Sequence, residues 1–322
     1  MKLEFYASLN HNPYYNLALE KYLMESCPEA TVRFYLWQNE HTVVIGKNQS
    51  AQSEVHLAKL SEDKGTLARR TSGGGAVYHD LGNLNFTFIG DDSVFDIPKQ
   101  MHMIAQALCD LGYNANVNGR NDIEVDGAKV SGNAFAHTHG THLHHGTLLV
   151  NVDKAKLGKY LNVNPKKLKR KNVSSVVARI ANLNEIKPIT IETLKAHLFN
   201  TMEKVYQVKA MFKAIPFSFD EQRVSSFSNE TWLLNLHRNE KLVFSECFDF
   251  GCIEWHMEVK NGVIIDNHLY TDAMDPEWSK RLESCVLGIE ANENDLAHAL
   301  STLHDSQADE LSKALLDQGI SI

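Results

Sequence analysis

The chain has little cysteine, and what it has is scattered. Cys27, Cys109, Cys247, Cys252 and Cys285 make five in 322 residues. An odd, dispersed set is no disulfide framework and suits a reducing compartment better. Only Cys247 and Cys252 stand close together, and no second Cys/His pair follows at zinc-finger spacing. The cysteines are therefore expected to act as small buried hydrophobes. No run of about 20 apolar residues could span a membrane. The N-terminal MKLEFYASLN has no apolar segment before a cleavage site and is not rich in Arg and Ser, which argues against a leader. A cytoplasmic protein is expected. Positive charge is not in excess: 32 basic against 40 acidic residues give a net charge of −8. That balance excludes a bulk nucleic-acid binder. Internal repeats and low-complexity tracts are missing too.

Apolar residues make up 43% of the chain, enough for a sizeable core. At roughly 100–200 residues per domain, this length suggests two domains. NPYYNLALEKYLMES opens with Asn12 as N-cap and Pro13 at the first helical position. Tyr15, Ala18, Leu19 and Tyr22 form its apolar stripe. TVRFYLW alternates Val32, Phe34 and Leu36 against Arg33 and Tyr35, so it reads as a strand. HTVVIGK and NLNFTFI read as two more. IPKQMHMIAQALCDLG is a helix closed by Gly112. Asp126-Gly127 marks a hairpin, HLHHGTLLVNV a further strand, and residues 191–206 an amphipathic helix. Beyond Lys241 the pattern restarts with GCIEWHMEV, an Asn261-Gly262 turn and VIIDNHLY. Three short helices follow, near 276–287, 293–303 and 309–317. Hairpins outnumber regular βαβ units, so the expected class is α+β with largely antiparallel sheets.

The segment with the most chemical content is ARRTSGGGAVYHDLGN, residues 68–83. Three consecutive glycines are costly to order. They belong where backbone must approach a ligand or adopt positive φ. Arg69, Arg70 and Ser72 precede them, so guanidinium forks, a hydroxyl and backbone N–H groups could nest a phosphate or carboxylate. The competing reading is a flexible turn. GxxxxGK[ST] is absent, which excludes a P-loop. GxGxxG in a βαβ setting is absent, which excludes a dinucleotide fingerprint. A second segment, GRNDIEVDGAKVSGNAF, sets Asp122 and Lys129 on opposite arms of one hairpin. Ser131-Gly132 after the lysine should leave room for a ligand.

RRTSGGGAVYHDLGN, RNDIEVDGAKVSGNA and HHGTLL follow in the order and spacing of the lipoate–protein ligases, and the chain resembles that family closely. The resemblance runs from the first helix through SSVVARIANL and more weakly into the C-terminal part. It implies a catalytic domain over residues 1–241 and an accessory α+β domain over 247–322. The implied fold is that of biotin and lipoate ligases and class II aminoacyl-tRNA synthetases: a largely antiparallel sheet with flanking helices.

The family converts lipoate and ATP to lipoyl-AMP, then acylates a lysine ε-amine on an acceptor domain. By resemblance, Lys129 is the catalytic clamp between carboxylate and α-phosphate. Arg70, Gly75, Ala76, Val77, Tyr78, Asn121, Asp122 and Lys129 are expected at ATP or the adenylate. Arg70, Ser72, Gly73, Gly74, Gly75, His79, Lys129 and His145 are expected at lipoate, with Asn83 a weaker polar contact. Asp122 is a candidate for Mg²⁺, with a hairpin cap as the equal alternative. His79 reads as a site residue or a turn histidine. Expected partners are lipoyl domains of 2-oxo acid dehydrogenase E2 subunits and the glycine cleavage H protein, the ligase itself being a monomer. The basic stretch Lys166–Lys171, in PKKLKRKNVSSVVARI, matches the family's mobile loop over the adenylate and could attract acidic lipoyl domains; a solvated loop is the other reading.

Four alternatives stand beside this one. A lipoyl or octanoyl transferase of the same fold would need a thiolate in the pocket, and no cysteine lies within the three motifs. Biotin ligase shares the architecture but lacks SGGGxVxHDxGN. A non-catalytic histidine-rich metal carrier, or a lipoyl-domain binding protein, belongs to a different class. AHTHGTHLHHGT holds five of sixteen histidines. Its spacing offers i, i+2 pairs, His137 with His139 and His142 with His144. The first three lie on the family's variable turn and read as incidental. His144 and His145 should face opposite sides of one strand, with His145 in the acyl site.

Overall fold

A computed structural model describes residues 1–119, 121–162, 180–216, 219–234 and 242–318. Its largest sheet has eight strands, in the order β11 (Met211–Phe212), β1 (Lys2–Ala7), β2 (Thr31–Trp37), β6 (Asn83–Asp91), β10 (Thr141–Leu149), β9 (Ala128–Thr138), β8 (Asp122–Val125) and β7 (Ala115–Asn118). The strands β11, β1 and β2 run parallel; from β2 to β7 every pairing is antiparallel. A smaller sheet orders β4 (Thr66–Arg69), β3 (Thr42–Ile45) and β5 (Val77–His79). The C-terminal unit has its own meander, β12 (Leu242–Phe248), β13 (Gly251–Lys260) and β14 (Val263–Thr271), packed by three helices from Trp278 onward. The class is α+β, as expected.

Local chemistry accounts for the elements. Asn12 accepts from the N–H groups of Tyr14 and Tyr15 and starts the helix Pro13–Glu25. Asp126 and Gly127 sit at φ 50° and 81°, the left-handed pair that a two-residue hairpin turn requires. Asn261 and Gly262 repeat this at 53° and 81°. The alternation in TVRFYLW does not mean one wet face, because all seven residues are buried. Val32, Phe34 and Leu36 pack with the helices Ile97–Asp110 and Ile191–Tyr206. Tyr35 and Trp37 pack with the helix Pro13–Glu25. The sheet is thus covered on both sides, and Arg33 is buried by pairing with Glu4 at 2.9 Å. Among the described residues, no helix is long and apolar enough to cross a membrane.

The C-terminal unit has a separate hydrophobic core, built around Trp255, Trp278 and Leu311. It docks on the rest of the chain through short polar contacts. Gly74 N–H donates to Ala273 O at 3.0 Å, Thr271 N–H to Asn48 O at 2.8 Å, and Asn48 Nδ2 to Pro276 O at 2.9 Å. Lys47 pairs with Glu277.

Candidate active site

A cavity of about 720 Å³ opens where the docked C-terminal unit meets the glycine loop, β9 and β10. Leu17, Trp37, Val44 and Val77 contribute apolar wall; Lys129, Asp122 and Asn121 contribute polar wall. Gly74 through His79, Asn133, His145, Gly146 and Thr147 also line it. The C-terminal unit adds Cys247 to Cys252, Asp272 and Met274.

The hairpin brings Lys129 and Asp122 together: Nζ lies 2.6 Å from Oδ1. The lysine side chain is 24% exposed and the aspartate 9%, so the ammonium faces the cavity while the carboxylate anchors it. Asp122 is therefore a partner of the lysine. Gly132 was expected to leave room for a ligand. A Cβ there would instead stand 2.9 Å from Lys129 Nζ, so the glycine makes room for the lysine's own side chain.

Both arginines of the ARRTSGGG segment are tied to nearby backbone. Arg69 donates to the carbonyls of Gly46, Lys47, Gln49, Trp232 and Leu233. Arg70 donates to Ser72 Oγ at 3.0 Å and to the carbonyls of Val44, Gly73 and Gly75. Arg69 does not line the cavity, whereas Arg70 does, its guanidinium held by these bonds at the cavity wall. Burial lowers the pKa of each to about 10. Arg70 works as a clamp that curls the loop and sets its edge against the cavity. Ser72 and Gly73 stand behind that edge: Ser72 is fully buried, and a Cβ on Gly73 would lie 2.4 Å from Ala273 O. The triple glycine thus answers first to the docking of the C-terminal unit. Gly74 takes φ +87°.

His145 and His144 face opposite sides of β10. His145 lines the cavity. Its Nε2 accepts from Ser72 Oγ at 2.7 Å and its Nδ1 donates to Glu20 Oε1 at 2.9 Å. Glu20 also accepts from Thr87 Oγ1 at 2.6 Å, and Thr87 accepts from Trp37 Nε1 at 3.0 Å. The order serine, histidine, glutamate matches that of a hydrolytic triad, but Ser72 is sealed from the cavity and its hydroxyl already accepts from Arg70. The relay holds the loop; it has no exposed nucleophile. His144 is buried between Gln100 and Asn133, at 2.9 Å from each. Burial pushes its pKa down to about 3.

His79 lines the cavity and is buried. Desolvation, with Arg70 and His145 nearby, lowers its pKa to about 3. Nδ1 meets Asn39 at 3.3 Å, while the buried Nε2 has no protein partner. Asn85 Nδ2, also on the cavity wall, is in the same position. Buried polar atoms are normally satisfied, so both are suited to a bound ligand's polar atoms. Asn83, two residues earlier, hydrogen-bonds Asn85 and does not line the cavity. Tyr78 contributes cavity wall and packs its ring against His41 and Tyr160.

Glu20, Trp37, Asn85, Asp272 and Met274 were not anticipated from the sequence. Glu20 had one signal: an acidic residue inside the apolar face of a helix, three positions after Leu17. The cysteine expectation also needs correction. Cys247 and Cys252 are directly opposed in the β12–β13 hairpin and form a disulfide with Cα atoms 3.9 Å apart. Their four-residue separation is that of a hairpin pair, and the bond closes the tip that lines the cavity. The basic stretch Lys166–Lys171 lies outside the described residues.

A family profile described as "Lipoyl protein ligase A/B catalytic domain" matches residues 12–203, and one described as "Bacterial lipoate protein ligase C-terminus" matches residues 241–316. The chain is 34% identical to lipoate-protein ligase A of Psychrobacter cryohalolentis over 336 aligned residues, covering 99% of each protein. Its structure is similar to that of P. falciparum LipL1 in complex with lipoate, with a TM-score of 0.86, 29% identity and coverage of 98% and 100%. It is also similar to a bi-partite lipoate protein ligase of Thermoplasma acidophilum, described with its E2 lipoyl domain. There the TM-score is 0.65 and the identity 26%, over 74% of this chain and 99% of the other. A lipoate-protein ligase A bound with ATP matches with a TM-score of 0.63 and 25% identity, over 73% and 99%.

Proposed function

The chain belongs to the lipoate–protein ligase family, and on that premise we propose how its cavity carries out ATP-dependent lipoate ligation. A carboxylate does not acylate an amine at neutral pH without activation. Attack of the lipoate carboxylate on the α-phosphorus of ATP forms lipoyl-AMP and releases pyrophosphate. Attack of a lysine ε-amine on the acyl carbon then forms the amide, releases AMP and loses a proton from nitrogen.

The observation that carries this reading is the Lys129–Asp122 pair in a cavity with one apolar wall. Lys129 would bridge the carboxylate and the α-phosphate, offsetting the negative charge that gathers in both steps. Holding the two reactants together supplies the orientation. The wall of Leu17, Trp37, Val44 and Val77 suits the acyl chain, with Arg70 beside it at the cavity and Ser72 and Gly73 supporting it from behind. His79, Asn85 and His145 supply polar atoms beside it. Gly74, Gly75, Ala76, Val77, Tyr78 and Asn121 offer edge and backbone to the adenylate. ATP would enter with Mg²⁺, which takes carboxylate and phosphate oxygens. Asp122, buried at the cavity wall, offers such an oxygen, and the ion would neutralise phosphate charge.

Acyl transfer through a thioester is not favoured: the two cysteines at the cavity are bonded to each other and offer no thiolate. The acceptors in this reading are lipoyl domains of E2 subunits and the H protein. We retain a cytoplasmic setting, where ATP is at hand. Lipoate-dependent exchange of label between pyrophosphate and ATP tests the first step; no exchange contradicts it.

A further inference from the structure

Away from the cavity, the histidine-rich hairpin brings together three side chains that ligation leaves unused. His137 on β9 and His142 on β10 are direct cross-strand partners, with ring centroids 4.3 Å apart. His144, two residues along β10 on the same face as His142, is buried against Gln100, and His139 sits in the turn at φ 47° beside the Thr138 hydroxyl. Asp92, one residue beyond β6, completes the group with Oδ1 2.5 Å from His142 Nε2. One ligand atom from each of Asp92, His137 and His142 lies within 4.8 Å of the other two. Among the described residues no other such trio converges as closely.

We propose that Asp92, His137 and His142 form a binding site for a borderline divalent transition metal such as Zn²⁺, with water completing the coordination. Two imidazoles and one carboxylate suit zinc, nickel or copper, whereas calcium and magnesium favour oxygen-only sets. Four-coordinate zinc with bonds of about 2.0–2.1 Å keeps its ligand atoms roughly 3.3 Å apart. Side-chain rotations would open the 2.5 Å His142–Asp92 contact and bring His137 to that spacing, and Asp92, 78% exposed, has room to make them.

The backbone beneath is fixed. β10 pairs with β9 on one side and with β6 on the other, where His142 opposes Gly90. Phe95 stacks on the His142 ring at 4.9 Å and 20°, which holds its plane. Metal would convert the existing His142–Asp92 contact into shared coordination and tie β9, β10 and the end of β6 together. This site is independent of the ligase reaction and stands whether or not that reading holds.

The test is calorimetric titration of Zn²⁺ into the full chain, purified without a polyhistidine tag and stripped of metal with chelator. Co²⁺ absorption gives a second readout of the donor set. One equivalent should bind. H137A and H142A should each weaken binding at least tenfold, and D92N several-fold. H139A should bind as the parent does, since His139 is outside the trio. Circular dichroism of each variant establishes that the fold is kept. No saturable binding to the parent chain would overturn the proposal. So would unchanged binding in H137A or H142A, or an equal loss in H139A.

Discussion

Glu20 and His145 stand 125 positions apart in sequence and meet at 2.9 Å behind the cavity wall. The same glutamate oxygen accepts from Thr87 at 2.6 Å. A neutral His145 that gives Nδ1–H to Glu20 accepts at Nε2, where Ser72 Oγ stands 2.7 Å away. Ser72 in turn accepts from Arg70. The direction of every donor in this chain is set by the buried carboxylate, and its far end holds the glycine loop.

Glu20→Ala leaves the Thr87 hydroxyl and His145 Nδ1–H without an acceptor in a buried site. A loss of about 1–3 kcal/mol is expected for each such group. Glu20→Gln keeps an oxygen that can accept both bonds and should recover most of the loss. Urea unfolding of the two variants measures this. Equal destabilisation by both would show that charge, not hydrogen bonding, sets the relay.

The buried histidines give a pH dependence with a definite sign. His79 and His144 have folded pKa values of about 3, against about 6.5 in an unfolded chain. Below that unfolded value the unfolded state takes up protons that the folded state does not. Stability is full above pH 6.5 and falls as pH drops toward 3. The slope is about 1.4 kcal/mol per pH unit for each histidine. His144→Gln should remove one share of it. Unfolding free energies at pH 5 and 7 read the difference, and parallel curves for variant and parent would contradict it.

Gly73→Ala tests the docking of the two units. The new Cβ would meet the carbonyl oxygens of Ala273 and Met274 at 2.4 and 2.6 Å, a backbone clash that no rotamer relieves. A cost of about 1–3 kcal/mol is expected. Limited proteolysis should release the C-terminal unit faster than from the parent, while Gly262→Ala, which strains only the β13–β14 turn at φ +81°, should leave the docking intact.

Reducing Cys247–Cys252, or replacing both by serine, frees the hairpin tip at residues 248–251. A loop this short gives a loss on the order of 2 kcal/mol, local to the C-terminal unit. Thermal scans with and without reductant, followed by Trp255 and Trp278 fluorescence, check it. No change with reductant would mean that the strand pairing alone holds the tip.

Much of this architecture was legible because it is local. Asn12-Pro13, Asp126-Gly127 and Asn261-Gly262 encode their caps and turns within two residues. The helix at 191–206 follows from its stripe. Lys129 with Asp122 was legible because a tight hairpin must bring its arms together. The rest depends on contacts that the sequence does not order by proximity. Arg70 read as an anion fork, and the sequence did not show that the carbonyls of Val44, Gly73 and Gly75 also hold it. Glu20 matters only because β10 passes beside its helix. The histidine pairs were read as i, i+2 neighbours on a turn and a strand, whereas the ladder joins His137 to His142 across two strands.

The most direct test of the central claim is intact mass of a lipoyl domain after incubation with this chain, lipoate and ATP. The account predicts a gain of one lipoyl amide that requires ATP, and its loss in Lys129→Ala with the circular dichroism spectrum unchanged. Modification without ATP, or a Lys129→Ala variant working at the parent rate, would contradict it.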